Sequence, residues 1–116
     1  MYQGNLGSIN VVEKPVIAAG HDAVVVSLRI KGNQGVQPKG KVMELDVNKE
    51  LVPYDPDAET PAETLFVINE QVDTTKAHTA ATIVHGTVKK DNLLVGNAAP
   101  DAADVIALIK SGIYPI

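Results

Sequence analysis

The chain has 116 residues, a formal net charge of −4, 45% apolar residues and no cysteine. This length suits a single domain, and the lack of cysteine excludes disulfides, thiolate chemistry and Cys-based metal sites. The chain has one Phe, three Tyr and no Trp, and its Lys and Arg residues form no basic cluster. We therefore expect no nucleic-acid binding. We also expect no signal peptide and no membrane span, because every apolar run is too short.

Residues 1–20 are predicted to form an N-terminal arm, extended or partly ordered, that precedes a β-rich domain at residues 21–116. Glycine and asparagine interrupt the arm, and Pro15 restricts its extended part to a sheet edge. Two interpretations are open: a frayed terminus, or an arm that adds a strand to a partner. The apolar side chains that would contact this partner are Ile9, Val11, Val12, Val16 and Ile17.

Alternating apolar residues predict two strands that each have one core face. In the first strand, residues 22–31, the predicted core face consists of Val24, Val26, Leu28 and Ile30. In the second strand, residues 40–47, it consists of Met43, Leu45 and Val47. A turn at Asn48-Lys49 predicts a hairpin that returns through residues 51–52.

Three segments further along the chain are predicted to form the rest of the sheet. Residues 64–68 are apolar on both faces, as in an interior strand. Residues 79–89 are predicted to form the central strand, in which Gly86 indicates a bulge or a close backbone approach. After a turn at residues 89–92, a short return strand is predicted at residues 93–95.

One helix is predicted at residues 100–110, and an apolar tail at residues 113–116 is predicted to dock against the body. Pro100 suits the first helical position, acidic residues occupy the first turn, and Gly112 is typical of the residue that follows a helix. The predicted core stripe is Ala102, Val105, Leu108 and Ile109. The predicted fold class is α+β: a small β-rich domain of short strands and hairpins, with much irregular structure and one C-terminal helix.

Residues that often carry chemistry have structural explanations in this sequence. His78 and His85 lie on opposite faces of one extended segment and over ~20 Å apart at the usual rise of a strand, so they are not expected to share a metal. Asp55, Asp57 and Glu59 alternate as in calcium loops, but the central Gly and the final Glu of an EF-hand are missing. This pattern favours a solvated acidic turn.

We predict no catalytic residue, no cofactor and no metal site. No serine lies in a nucleophile elbow, and Asp101 and Asp104 are explained by the dipole of the helix. A small hydrolase that uses His21 or His85 as its base is a further hypothesis.

The order of the motifs resembles that of the lambda-type phage head decoration proteins, which stabilise capsids. The similarity covers about residues 38–116 and is strongest in the His-Gly strand and in the helix that ends in Gly-Ile. The segments that carry it are residues 40–46, 51–55, 65–68, 72–73, 81–88, 93–94 and 106–113, with a Pro-Ala linker and an acidic helix start between them.

The resemblance implies a structural virion protein that binds the outside of a phage capsid as a homotrimer at local three-fold positions. It implies a non-catalytic protein whose partner is the major capsid protein and whose N-terminal segment orders against that partner. The implied location is the virion surface, after assembly in the host cytoplasm. The alternative hypothesis is a small β-rich module that binds a ligand or a peptide.

Overall fold

A computed structural model describes residues 23–116. These residues form eight strands, a 3₁₀ helix at Lys90–Asn92 and one α-helix. The strands are β1 Val24–Arg29, β2 Val36–Gln37, β3 Val42–Leu45, β4 Leu51–Pro53, β5 Phe66–Ile68, β6 Val72–Asp73, β7 Thr79–Val88 and β8 Ile113–Pro115; the helix is α1 Ala102–Lys110. This strand-rich body with one C-terminal helix confirms the predicted α+β class.

The main sheet is built around β7, as the sequence predicted for residues 79–89. Its strand order is β1-β7-β5-β3-β4, all antiparallel, and β8 pairs with β7 in parallel. The two ends of this path approach each other at the Ile30–Leu51 bridge, where the Lys31 N–H donates to the Leu51 carbonyl at 3.1 Å. The sheet therefore curls upon itself, and among residues 23–116 the pairing of its two ends is limited to this point.

A bulge interrupts the pairing of β1 with β7 next to Gly86, as predicted. Val24 pairs with His85 but Val25 pairs with Ile83, so Val84 is an extra residue in β7. Gly86 has a φ of 127°, which favours glycine because a Cβ is disfavoured there. An extra residue increases the local twist, and from Gly86 onward β7 pairs with β8.

Apolar side chains alternate between two core clusters, one on each side of the sheet. Neighbours on the same strand divide between them, as Val67 and Ile68 do in β5. Both side chains are fully buried, which confirms an interior strand in this segment, although β5 covers only Phe66–Ile68 of the predicted residues 64–68. Leu108 of α1 and Ile113 of β8 join the cluster that contains Val67. Each such side chain contributes about 1.5–3 kcal/mol through burial.

The predicted core face of β1 is wrong for most of its length. Val24, Val25 and Val26 are 47%, 40% and 38% exposed, so neither face of this part is covered by the described residues. Ile30 is buried and Leu28 is partly buried. These valines are exposed because β1 lies at the end of the strand order. Only the last part of this segment, at Leu28 and Ile30, reaches the core of the curled sheet.

The second predicted core face is wrong at Leu45 and Val47, although Met43 is fully buried. Strand β3 ends at Leu45. The predicted hairpin turn then leads the chain away from the core, so Val47 is 97% exposed. The carboxylate of Asp46 holds this turn by accepting from the N–H groups of Asn48 and Glu50 at 2.9 and 3.0 Å. The predicted hairpin itself is confirmed by the pairing of β3 with β4.

The helix starts two residues after Pro100, so the prediction of Pro100 as its first residue is wrong. Asp101 is the N-cap, and it forms a capping box with Asp104. The predicted stripe is also partly wrong: Leu108 is buried and Val105 is partly buried, whereas Ala102 is exposed and Ile109 is 46% exposed. The capping box turns Asp104 inward, so the helix face toward the sheet begins one residue before Val105.

The tail is docked as predicted, but the return strand at residues 93–95 is not formed. Leu94 makes only an isolated bridge with Lys41, although Leu93 is fully buried. The tail continues beyond β8: the Ile116 N–H donates to the Val88 carbonyl at 2.9 Å. The pairing of β2 with β6 was not predicted, because each strand has only two residues and shows no periodicity.

The burial of α1 predicts a contrast between two adjacent residues. Leu108→Ala should lower the free energy of unfolding by about 2–5 kcal/mol, because it leaves a cavity in the core. Ile109→Ala should cost less than about 1 kcal/mol, because this side chain is half exposed. Urea unfolding followed by circular dichroism measures both values. Equal losses would contradict the helix orientation described above.

Candidate functional site

The described histidines, His78 and His85, belong to no cluster of three or more candidate metal ligands among residues 23–116. His78 precedes β7, and its carbonyl accepts from the Ile30 N–H at 3.0 Å. His85 lies at the bulge of β7. Within residues 23–116, no group of three or more His, Cys, Asp or Glu side chains is arranged to hold a metal ion. His21 lies outside the described residues.

His85 packs against the junction between α1 and β8. Its ring meets that of Tyr114 edge to face, with centroids 5.9 Å apart. Gly112, with a φ of +87°, lies under the imidazole, and a Cβ there would be 2.8 Å from its Nδ1. Gly112 therefore serves both the helix end, as predicted, and this ring contact. The described contacts give His85 a packing role, while its use as a base stays a hypothesis.

Acidic side chains surround Tyr54 at the start of α1. The pKa of Tyr54 is raised, first by burial and then by the charges of Asp104 and Glu44. Burial also raises the pKa of Asp104, since a buried carboxyl group is harder to ionise. This carboxyl group is nevertheless bound: its Oδ2 accepts from the Asp101 N–H at 3.0 Å. The capping box thus closes the helix start, and its hydrogen bonds account for Asp101 and Asp104, while the dipole explanation of these residues stays a prediction.

The loop at residues 54–61 forms the predicted acidic turn. The Asp55 Oδ1 accepts from the Asp57 N–H at 3.0 Å, which is the Asx turn expected from Asp-Pro-Asp. Glu44 reaches across from β3, and its Oε2 accepts from the Asp55 N–H at 3.1 Å. The Asp55 and Glu44 carboxylates therefore accept from main-chain N–H groups and fix the part of the loop that follows Tyr54.

Ser111 joins the helix end to the segment before β5, which the sequence did not indicate. Its Oγ donates to the Ala107 carbonyl at 3.0 Å and accepts from the Leu65 N–H at 2.8 Å. The two residues are 46 positions apart, so no local pattern reveals the contact. The sequence does show a serine next to Gly112 at the helix end, but this pattern does not identify Leu65 as the residue that the serine binds.

Exposed apolar side chains mark the candidate interaction surfaces. One set is the valine run of β1, described above. Another belongs to the outer side of α1, where Ile106 is 55% exposed and Ile109 is 46% exposed. The tail adds Tyr114 at 38% and Ile116 at 70%. Single exposed apolar residues are common, whereas a contiguous apolar patch marks a surface that meets another chain, so these three sets are candidates only where their side chains lie together.

A groove of about 620 Å³ lies between α1 and residues 61–64. Its lining includes Tyr54, Ala103, Ile106 and Lys110. This volume lies within the range of small-molecule sites, ~300–1,000 Å³. Its lining mixes apolar groups with one cation and the carboxylate of Glu63, so it suits a peptide or an extended chain as well as a small ligand.

The predicted partner-contact residues Ile9, Val11, Val12, Val16 and Ile17 all lie outside the described residues, as does the boundary at residues 20–21. Neither protein-family models nor curated proteins match this chain. In the described part of the chain, the helix is too short to cross a membrane.

The raised pKa of Asp104 predicts how stability changes with pH. Its pKa in the folded state lies above the ordinary value of 3.8, so the folded protein binds the proton more tightly than the unfolded chain. The free energy of unfolding contributed by this group should therefore fall as pH rises through the interval from about 3.8 to the raised pKa. Asp104→Asn keeps an acceptor for the Asp101 N–H and removes the titration.

The test compares urea unfolding of the wild type and Asp104→Asn between pH 3 and pH 7, a range set around the ordinary carboxyl pKa of ~3.9. The variant should gain stability relative to the wild type as pH rises. Asp91→Asn, at an exposed position of the 3₁₀ helix, is the matched control, because Asp91 is not among the groups that raise the pKa of Asp104. A difference that stays constant with pH, or shifts in favour of the wild type, would contradict the raised pKa.

Proposed function

We propose that this chain is a structural virion protein that binds the outside of a phage capsid as a homotrimer and stabilises the shell without catalysis. The observation that carries the proposal is the succession of β7, α1 and the docked tail. This segment has the strongest resemblance to the lambda-type head decoration proteins, and β8 ties it together by pairing with β7. In this proposal the chain resides on the capsid surface after assembly in the host cytoplasm.

The surface of the body supports a role in assembly. Hydrogen bonds at the ends of α1 engage three side chains of types that often act in catalysis: Asp101, Asp104 and Ser111. The body's apolar groups Ile106, Ile109 and Ile116 are exposed instead. These exposed groups are available to bind another copy or the shell. Many copies on one lattice bind multivalently, so a modest contact per copy can hold a shell together.

The N-terminal residues supply the second proposed contact. Strand addition uses main-chain hydrogen bonds, and therefore requires few particular side chains. In this proposal Ile9, Val11, Val12, Val16 and Ile17 contact the major capsid protein, while the body forms the trimer. The proposed contact with the capsid protein then lies in the N-terminal residues, and the body that forms the trimer lies in the rest of the chain.

Deletion of residues 1–17 should leave the body folded and weaken shell binding at least about tenfold, the loss expected when an anchor worth about 1.4 kcal/mol is removed. Co-sedimentation with expanded shells of a phage major capsid protein measures binding, and circular dichroism measures folding. A deletion variant that binds as well as the full chain would contradict the role of the arm. One that unfolds would show that residues 1–17 belong to the core.

A matched pair of full-length variants separates side-chain contact from chain length. One replaces the five apolar arm residues by serine, and the other replaces Gln3, Asn5 and Asn10 by serine. Only the first should lose shell binding. Failure of the wild type to bind any shell would overturn the proposal as a whole.

The groove beside α1 favours a second candidate, a small β-rich module that binds a ligand or a peptide. Ile106→Asp would place a charge in the groove without touching the buried core. If this variant lost the binding of an extended peptide while shells never bound the wild type, the second candidate would replace the first.

A further inference from the structure

The free edge of β1 is the least protected part of the described sheet. Strand β1 pairs with β7 on one side, and on the other side the described residues make only the bridge from Ile30 to Leu51. Arg29 and Glu50 form an ion pair of 3.5 Å beside that bridge. Closure with β4 therefore begins at Arg29, which leaves residues 24–28 as an open edge of five residues.

Apart from the bulge in β7 opposite Val24 and Val25, this open edge lacks the features that usually protect one. Its first three residues are valines exposed on both faces, and residues 24–28 contain neither proline nor a charged side chain. An apolar, uncharged edge of this kind is a template for pairing with another strand. Natural sheets rarely leave such an edge uncovered, so it requires an occupant.

The segment that precedes β1 in the sequence has the features the edge lacks. Residues 12–17 read Val-Glu-Lys-Pro-Val-Ile, which combines apolar residues with two charges and a proline. Proline is tolerated in an edge strand, where its nitrogen faces solvent, and charged side chains discourage further pairing. Joined to β1, this segment would cover the valines and form a protected outer edge.

The lengths of the segments fit a hairpin within one chain. Ala23 is partly buried against the core, so the chain reaches β1 there. Residues 18–22 include Gly20, and connections of ~3–5 residues that contain glycine are typical of hairpins. An antiparallel return across this connection places Val16 opposite Val24 and Val12 opposite Leu28, which matches the open part of the edge.

We propose that residues 12–17 pair with the free edge of β1 in the same chain and cover Val24, Val25 and Val26 before the protein meets a partner. This inference goes beyond the proposed function and does not depend on it. The cover prevents free copies from associating through their open edges.

The test uses the full-length chain and a nitroxide spin label. Since the chain has no cysteine, Glu13→Cys creates a single labelling site opposite Ser27 in the expected pairing. Paramagnetic broadening in NMR spectra should reduce the amide signals of Val25 and Ser27 at least about twofold. A label at Asp57→Cys, in the exposed loop, is the control and should not change with the arm variants.

Two variants with equal charge make the test specific. Val12→Asp combined with Val16→Asp should abolish the broadening from residue 13, because each added carboxylate opposes pairing with an apolar edge. Gln3→Asp combined with Asn5→Asp should leave it unchanged. The amide signal of Leu108, far along the chain in the core, checks that each variant is folded.

Dilution and mixing decide which chain supplies the strand. Broadening that is independent of concentration supports pairing within one chain. Absence of broadening in the folded wild type would overturn the proposal. Broadening that appears only on a second, unlabelled isotope-enriched copy would also overturn it and assign the edge to exchange between copies. None of these results requires a capsid, so they are separate from the outcome of shell binding.

Discussion

The fold depends on the backbone of β7, because three other strands use it. β1, β5 and β8 all pair with this strand, and Ile83 and Val88 along it are fully buried. A strand that is paired on both sides satisfies its N–H and C=O groups internally, as buried backbone requires. The bulge at Val84 lies in the pairing with β1, and β7 pairs with β8 from Gly86 onward.

The helix depends on this strand in turn. Nine residues are too few for a helix to be stable alone in water, so α1 needs the core beneath Leu108 and fixed ends. The capping box holds its start, and Ser111, Gly112 and β8 hold its end. Most of the polar side chains around α1 are used in this way, and the exposed apolar ones remain available for contacts with other chains.

Local patterns in the sequence predicted the elements whose causes are local. The central strand, the hairpin turn and Gly112 after the helix follow from periodicity, turn chemistry and backbone freedom. The exposure of Val24, Leu45 and Ile109 was not predicted, because alternation reports that one face is apolar but not whether another part of the chain covers it. Ser111 and Leu65 meet across 46 positions, and the Ile30–Leu51 bridge joins distant segments; such contacts have no local signature. Of the candidate interaction surface, sequence reasoning proposed the arm and missed the exposed valines and the outer side of α1.

The central claim is that this chain decorates a capsid. Electron cryomicroscopy of expanded shells, with and without the added protein, tests it most directly. The account predicts additional density at the local three-fold positions, with three copies of a body built on β7 and α1 and with the N-terminal residues against the shell. Shells that are identical with and without the protein, at concentrations where the protein is folded, would contradict it.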